Sequence, residues 1–264
     1  MNIANSETGV RWQVWIAIGI VLVAYVLLRL TIGAIPQDPS YHLLADTRTC
    51  LGLIPRAGDV LTNLAILAAG LFGLALRGRM TVVPEERAAR DVLIAATILT
   101  AFGSAFYHWA PANATLVWDR LPLVIILIAI LTLVAADRVH PLFARHGIWP
   151  WTAFAAASVI AWGVSEQLGK GDLLLYLILR VGAAIAIVLL LVFRSPRYTG
   201  TRWILAALIC ELLMAALERL DHRIFDLTGG AVSGHNLKHV MVGVALSFVF
   251  WWLRVRQTLP AKTA

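Results

Sequence analysis

Charge is what this chain has least of. Asp, Glu, Lys and Arg make up 14% of its 264 residues, against roughly 25% in soluble domains, and that shortage excludes an ordinary soluble fold. Cysteine is almost missing: Cys50 and Cys210 are too few for a disulfide framework, and Cys210 falls inside a hydrophobic run. Two unlinked thiols are the expectation. Acidic residues are outnumbered 15 to 22 by basic ones. That imbalance invites a nucleic-acid reading until its distribution is considered. No polar stretch is long enough to fold alone, and there is no internal repeat or low-complexity tract.

What is plentiful is apolar. Hydrophobic residues reach 60% and the mean hydropathy is +0.80, in runs long enough to cross a bilayer. The expected fold class is all-α integral membrane. Eight spans are read near 12–35, 59–77, 91–110, 120–137, 148–165, 173–193, 203–220 and 235–254, with turn signals such as Pro36, Pro84, Pro141 and Gly229-Gly230 between them. The first is read as a retained helix rather than a cleaved leader. Its apolar core is too long for a signal peptide, Arg11 is balanced by Glu7, and no small-x-small cleavage site follows.

Connectors alternate between two sides. The side with the amino terminus, the 78–90, 138–147 and 194–202 loops and the carboxyl tail holds thirteen Arg and Lys, from Arg11 to Lys262. The other holds seven: Arg48, Arg56, Arg120, Lys170, Arg219, Arg223 and Lys238. This positive-inside bias places both termini in the cytoplasm and assigns the basic balance to lipid headgroups, not nucleic acid.

On that topology five residues of metal-site and acid/base type fall at one depth, towards the non-cytoplasmic face. Ser104 and His108 end the third span, Asp119 starts the fourth, and His235 and His239 open the eighth. An ionisable group at a helix centre in lipid costs roughly 2.5–3.5 kcal/mol on insertion scales, so such groups persist where function needs them. His235 and His239, four apart, share a helix face, as do Ser104 and His108. Three histidines with an open position match a catalytic zinc site. Ser233 reads as the N-cap of the last span. A helix start at Asp119 favours an ionised carboxylate, as a base needs, and Pro122 is tolerable in that first turn.

Each residue also has a plainer reading. A lone His pair at an interface is more often a headgroup contact, Ser104 beside Gly103 and Ala105 a packing position, and Asp119-Arg120 a solvated cap. Glu166, Asp172, Glu218 and Asp221 read as structural or solvated, and Asn63 as a helix-to-helix hydrogen bond. Trp109 and Trp118 read as interfacial belt residues. The joint pattern favours a site.

That pattern resembles the alkaline ceramidases and their wider superfamily, which includes the adiponectin and progestin receptor-like membrane proteins. The motifs are Ser104-x3-His108, Asp119 eleven residues later, and His235-x3-His239. The bacterial ceramidase-like branch is closer still: Tyr41-His42-x3-Asp46-x-Arg48, Gly52-x-Ile54-Pro55, Thr62-Asn63-Leu64, Gly103 to His108, Trp118 to Pro122 and Ser233 to His239. The resemblance covers residues 41–254. It implies a seven-helix ceramidase-like bundle at 41–254, behind an extra transmembrane helix and connector at 1–40, with a cytoplasmic tail at 255–264, in a bacterial inner membrane. It also implies zinc held by His108, His235 and His239, Asp119 as the base acting on water, and Ser104 as support for the oxyanion or the zinc shell. One departure matters. Eukaryotic alkaline ceramidases carry an acidic calcium-binding cluster where this chain has Asp46 to Leu53, with one carboxylate and Arg48, and Arg56 stands close to another ligand position. Calcium prefers several oxygen ligands, so calcium is not expected.

The expected activity is zinc-dependent hydrolysis of a long-chain lipid amide such as ceramide to fatty acid and amino alcohol. Two alternatives stay open. A receptor-like or sensory zinc protein of the same superfamily would hydrolyse little or nothing. A haem-binding cytochrome would use His108 and one terminal histidine as axial ligands, but has no need of Ser104 or Asp119.

Overall fold

The computed structural model describes residues 3–260. Among them there are helices and no strand, and seven helices are long and apolar enough to cross a membrane. The chain is a multi-pass membrane protein.

The helices are α1 (Ile3–Thr31), α2 (Ala57–Leu61), α3 (Asn63–Leu76), α4 (Arg87–Trp109), α5 (Asn113–Arg138), α6 (Leu142–Gln167), α7 (Leu174–Phe193), α8 (Thr201–Arg219), α9 (Asp221–Leu227) and α10 (Gly234–Val255). Only Thr62 separates α2 from α3, and the two act as one span. Each of the eight expected spans falls on a helix. The exception in character is α8, which carries Arg202, Glu211, Glu218 and Arg219 and is not among the seven apolar helices.

The start of α5 corrects one expectation. The helix begins at Asn113, where Thr115 Oγ1 accepts the Ala112 N–H at 3.1 Å. Asp119 therefore lies in the second turn and Pro122 inside the helix, and no helix-start field acts on Asp119, because that effect fades within the first turn. Pro122 has no N–H to give the Trp118 carbonyl four residues back. At this level α4 comes closest: a Cβ on Gly103 would lie 2.1 Å from that carbonyl oxygen. The glycine lets the two backbones meet.

Packing follows a chain of neighbours. α8 lies along α10, α10 along α3, α3 along α4, α4 along α5, and α5 along α6 and α7. α7 and α8, consecutive in sequence, do not pack along each other. α1 rests on α6 and α7, and few of its residues are buried.

Two segments read as flanking are built into the fold. The connector after α1 folds back: Leu173 N–H donates to Ile35 O at 2.8 Å, Arg29 pairs with Asp172, and Gln37 accepts from Arg120 at 2.7 Å. In the tail assigned to 255–264, Val255 still belongs to α10, and Arg256 is 1% exposed and ion-paired with buried Glu86, its guanidinium over the Tyr198 and Trp252 rings. Residues 261–264 of that tail, Lys262 among them, lie outside the described residues.

Candidate metal centre

Two helix ends position the histidines. His108 is the penultimate residue of α4, while His235 and His239 occupy the first two turns of α10. Ser233 caps α10 as expected, its Oγ accepting from Asn236 N at 3.0 Å while Asn236 Oδ1 accepts from Ser233 N. Asp221 Oδ1 takes the His235 N–H at 2.7 Å and its Oδ2 takes Ala45 N–H at 2.9 Å, joining α9, α10 and the connector. Two acceptors thus hold orphan donors of one helix start.

All three histidines are buried, and one ligand nitrogen from each lies within 4.8 Å of the others. Ring centroids are 4.7, 4.8 and 4.7 Å apart, and Nε2 of His108 is 3.2 Å from Nε2 of His235. An ion bound tetrahedrally by two imidazole nitrogens at its usual bond length holds them about 3.3 Å apart. The spacing therefore suits a metal ion, and three neutral imidazoles are a borderline-soft donor set of the right kind. The triad can hold a metal.

Asp119 and Ser104 line the same cavity as the triad. The five residues singled out in sequence thus surround one space. The plainer readings divide. Trp109 and Trp118 are about half exposed and absent from the cavity wall, as belt residues would be. Asn63 bonds within its own span: its Nδ2 donates to Asp59 O at 2.8 Å, one turn back on α2. Glu166 orients Asn113 at 2.9 Å and accepts from Trp162 Nε1 at 3.0 Å. Asn113 Oδ1 in turn meets His42 Nε2 at 2.8 Å, and His42 Nδ1 meets the Tyr107 hydroxyl at 3.0 Å. That run of bonds fastens the connector beside the site.

Several cavity residues have partners that the sequence reading does not foresee. Lys238 Nζ pairs with Glu218 Oε1 at 2.6 Å inside the wall. Arg120 stacks on Tyr41, Trp162 and Tyr176 with its guanidinium carbon 5.3, 4.4 and 5.2 Å from the ring centroids. Arg180 of α7 and Glu211 of α8 line the cavity from the two helices that do not pack along each other. The available signal is the rarity of ionisable groups inside apolar spans, which marks Arg180 and Glu211 individually.

The cavity has a volume of about 280 Å³, near the lower end for small-molecule sites. Its wall combines the triad, Asp119, Ser104 and other polar groups, Arg180 and Glu211 among them, with apolar side chains that include Ile130, Ile204 and Val249. From His235 to Val249 along α10 is about 21 Å at the helical rise. Comparison with family models, with curated proteins and with solved structures finds no match to this chain.

Proposed function

We propose that this protein is an integral-membrane amidohydrolase that cleaves the amide bond of a long-chain lipid such as ceramide, with zinc held by His108, His235 and His239. The observation that carries the reading is the convergence of three buried histidines, Asp119 and Ser104 on one cavity whose wall is largely apolar. A bilayer core of about 30 Å holds two leaflets, so one lipid chain extends about 15 Å. The reach of the cavity along α10, from His235 to Val249, is long enough for one such chain. Its small volume leaves the rest of the lipid outside, and the unpacked side between α7 and α8 is where it would lie. The resemblance of the motifs to the alkaline ceramidases points the same way.

When bound, zinc supplies Lewis-acid polarisation of the amide carbonyl and acidifies water. Asp119 takes the proton of the attacking water and returns it to the leaving nitrogen as the C–N bond breaks. Ser104, on the same cavity wall, supports the oxyanion or the zinc shell, as the resemblance implies. The apolar wall excludes bulk water from the acyl chain, and Lys238, Glu218, Arg180 and Glu211 offer donors and acceptors to the polar headgroup.

Purified protein is expected to hold about one zinc per chain, as a three-His site implies. His235→Ala with His239→Ala loses it, whereas His42→Ala, His140→Ala and His146→Ala keep it. Asp119→Asn keeps the metal and lowers release of fatty acid by roughly 10²–10⁴-fold, the scale of general acid/base catalysis. Wild-type protein that holds zinc yet releases no fatty acid from ceramides or simpler N-acyl amides favours the receptor-like reading. Full zinc retention in the double mutant removes the metal site.

A further inference from the structure

Thr62, the single residue between α2 and α3, has no part in the hydrolysis proposed above. Its Oγ1 lies 2.7 Å from the Gly58 carbonyl oxygen and 2.9 Å from Nδ1 of His239. A hydroxyl has one proton, and a carbonyl oxygen can only accept. The hydroxyl proton therefore goes to Gly58, one helical turn back, the usual bond of a threonine inside a helix. The remaining contact must be donated by the ring, from Nδ1–H to Oγ1. In a neutral imidazole a proton on Nδ1 leaves the lone pair on Nε2.

We propose that Thr62 is a positioning residue that holds His239 in the Nδ1-protonated tautomer, so that Nε2 is the nitrogen presented to the metal. Among the described residues, His239 is the only triad ring that hydrogen-bonds a side chain outside the triad. Nδ1 of His108 has no partner, and the brace on His235 acts through its backbone N–H. Orientation of the three-ring set thus depends on Thr62 more than on any other side chain. The inference rests on the metal reading of the triad.

The test measures zinc affinity by chelator competition in wild type, Thr62→Val, Thr62→Ser and His239→Ala, together with nitrogen-15 NMR of the histidine rings in metal-free wild type. Thr62→Val keeps the shape and removes the acceptor, and it should lose roughly 10–100-fold in affinity, the usual effect of removing a partner behind a ligand. Thr62→Ser should bind as wild type does. The spectrum should show His239 protonated at Nδ1, a result that needs no variant to fold. Wild-type affinity in Thr62→Val, or a ring protonated at Nε2, overturns the role of Thr62 and leaves the metal site standing. Wild-type affinity in His239→Ala removes the metal site itself.

Discussion

At the residue scale, Asp46 shows how a loop near the site is held. Its side chain is fully buried, and Arg48 grips both oxygens, with Nε and Nη2 at 2.8 and 2.6 Å, while the same guanidinium donates to Ala231 O at 2.9 Å. Burial pushes the Asp46 carboxyl up, but the Arg48 hydrogen bonds and charge outweigh it and hold it below the usual carboxylate range. A group depressed in the folded state adds stability that is complete above its unfolded value, near 3.9, and is lost as pH falls through the folded one. Asp46→Asn should therefore lower the melting temperature at neutral pH. About 2 kcal/mol is the expected loss, in the range for hydrogen bonds to charged groups, tempered because Arg48 is nearly half exposed. The gap to wild type should close below about pH 4, and a gap unchanged at pH 3 would show that the charge is not its source. The same scale accounts for what the sequence discloses. His108, Asp119, His235 and His239 stand out because lipid tolerates few such groups. Thr62 and the Lys238–Glu218 pair do not, because their meaning lies in partners on other helices, 177 and 20 positions away.

At the element scale, the spans are legible because an apolar run of bilayer length rarely serves any purpose but crossing one. Their junctions are less so. The early start of α5 depends on Thr115 capping back to Ala112, and the fold of the connector depends on Asp172, Arg120 and Asp221, all distant in sequence. The crossing of α4 and α5 gives the sharpest test. Gly103→Ala gains up to about 1 kcal/mol of helix propensity, yet its Cβ would meet a backbone carbonyl at 2.1 Å. Overpacking typically costs about 1–3 kcal/mol, and a backbone oxygen cannot swing aside. Net destabilisation is expected, with slower fatty-acid release on the proposed reading because His108 and Asp119 sit on the two helices being parted. Gly182→Ala on α7, where nothing lies within 4 Å of the added carbon, should instead raise the melting temperature. If both substitutions stabilise, the close approach is not a constraint.

At the scale of the whole molecule, hydrogen bonds between connectors sort the chain into two ends. One end joins Arg48 to Ala231, His222 to Leu43 O, Asn113 to Glu166 and Ile35 to Leu173, and the metal centre lies there. The other joins Arg256 to Glu86 and Thr81, Arg138 to Arg194 and Thr201, and Arg145 to Glu7. The second end carries the thirteen basic residues counted from sequence, less Lys262, and the first carries the seven. Some of the excess is spent on buried pairs: Arg138 and Arg256 are almost fully enclosed. Arg11, Arg79, Arg87, Arg202 and Arg254 are exposed, so a surplus still faces the headgroups at that end. The positive-inside bias therefore predicts that the basic end is cytoplasmic and the metal centre lies towards the opposite leaflet. Reporter fusions after Ala264 and within the 78–90 loop should both read cytoplasmic. Lys170→Cys, at an exposed position of the first end, should react with a membrane-impermeant thiol reagent added outside intact cells in a Cys50→Ser background. Fusions that read external, with Lys170→Cys protected, would invert the molecule and move the candidate metal centre to the cytoplasmic leaflet.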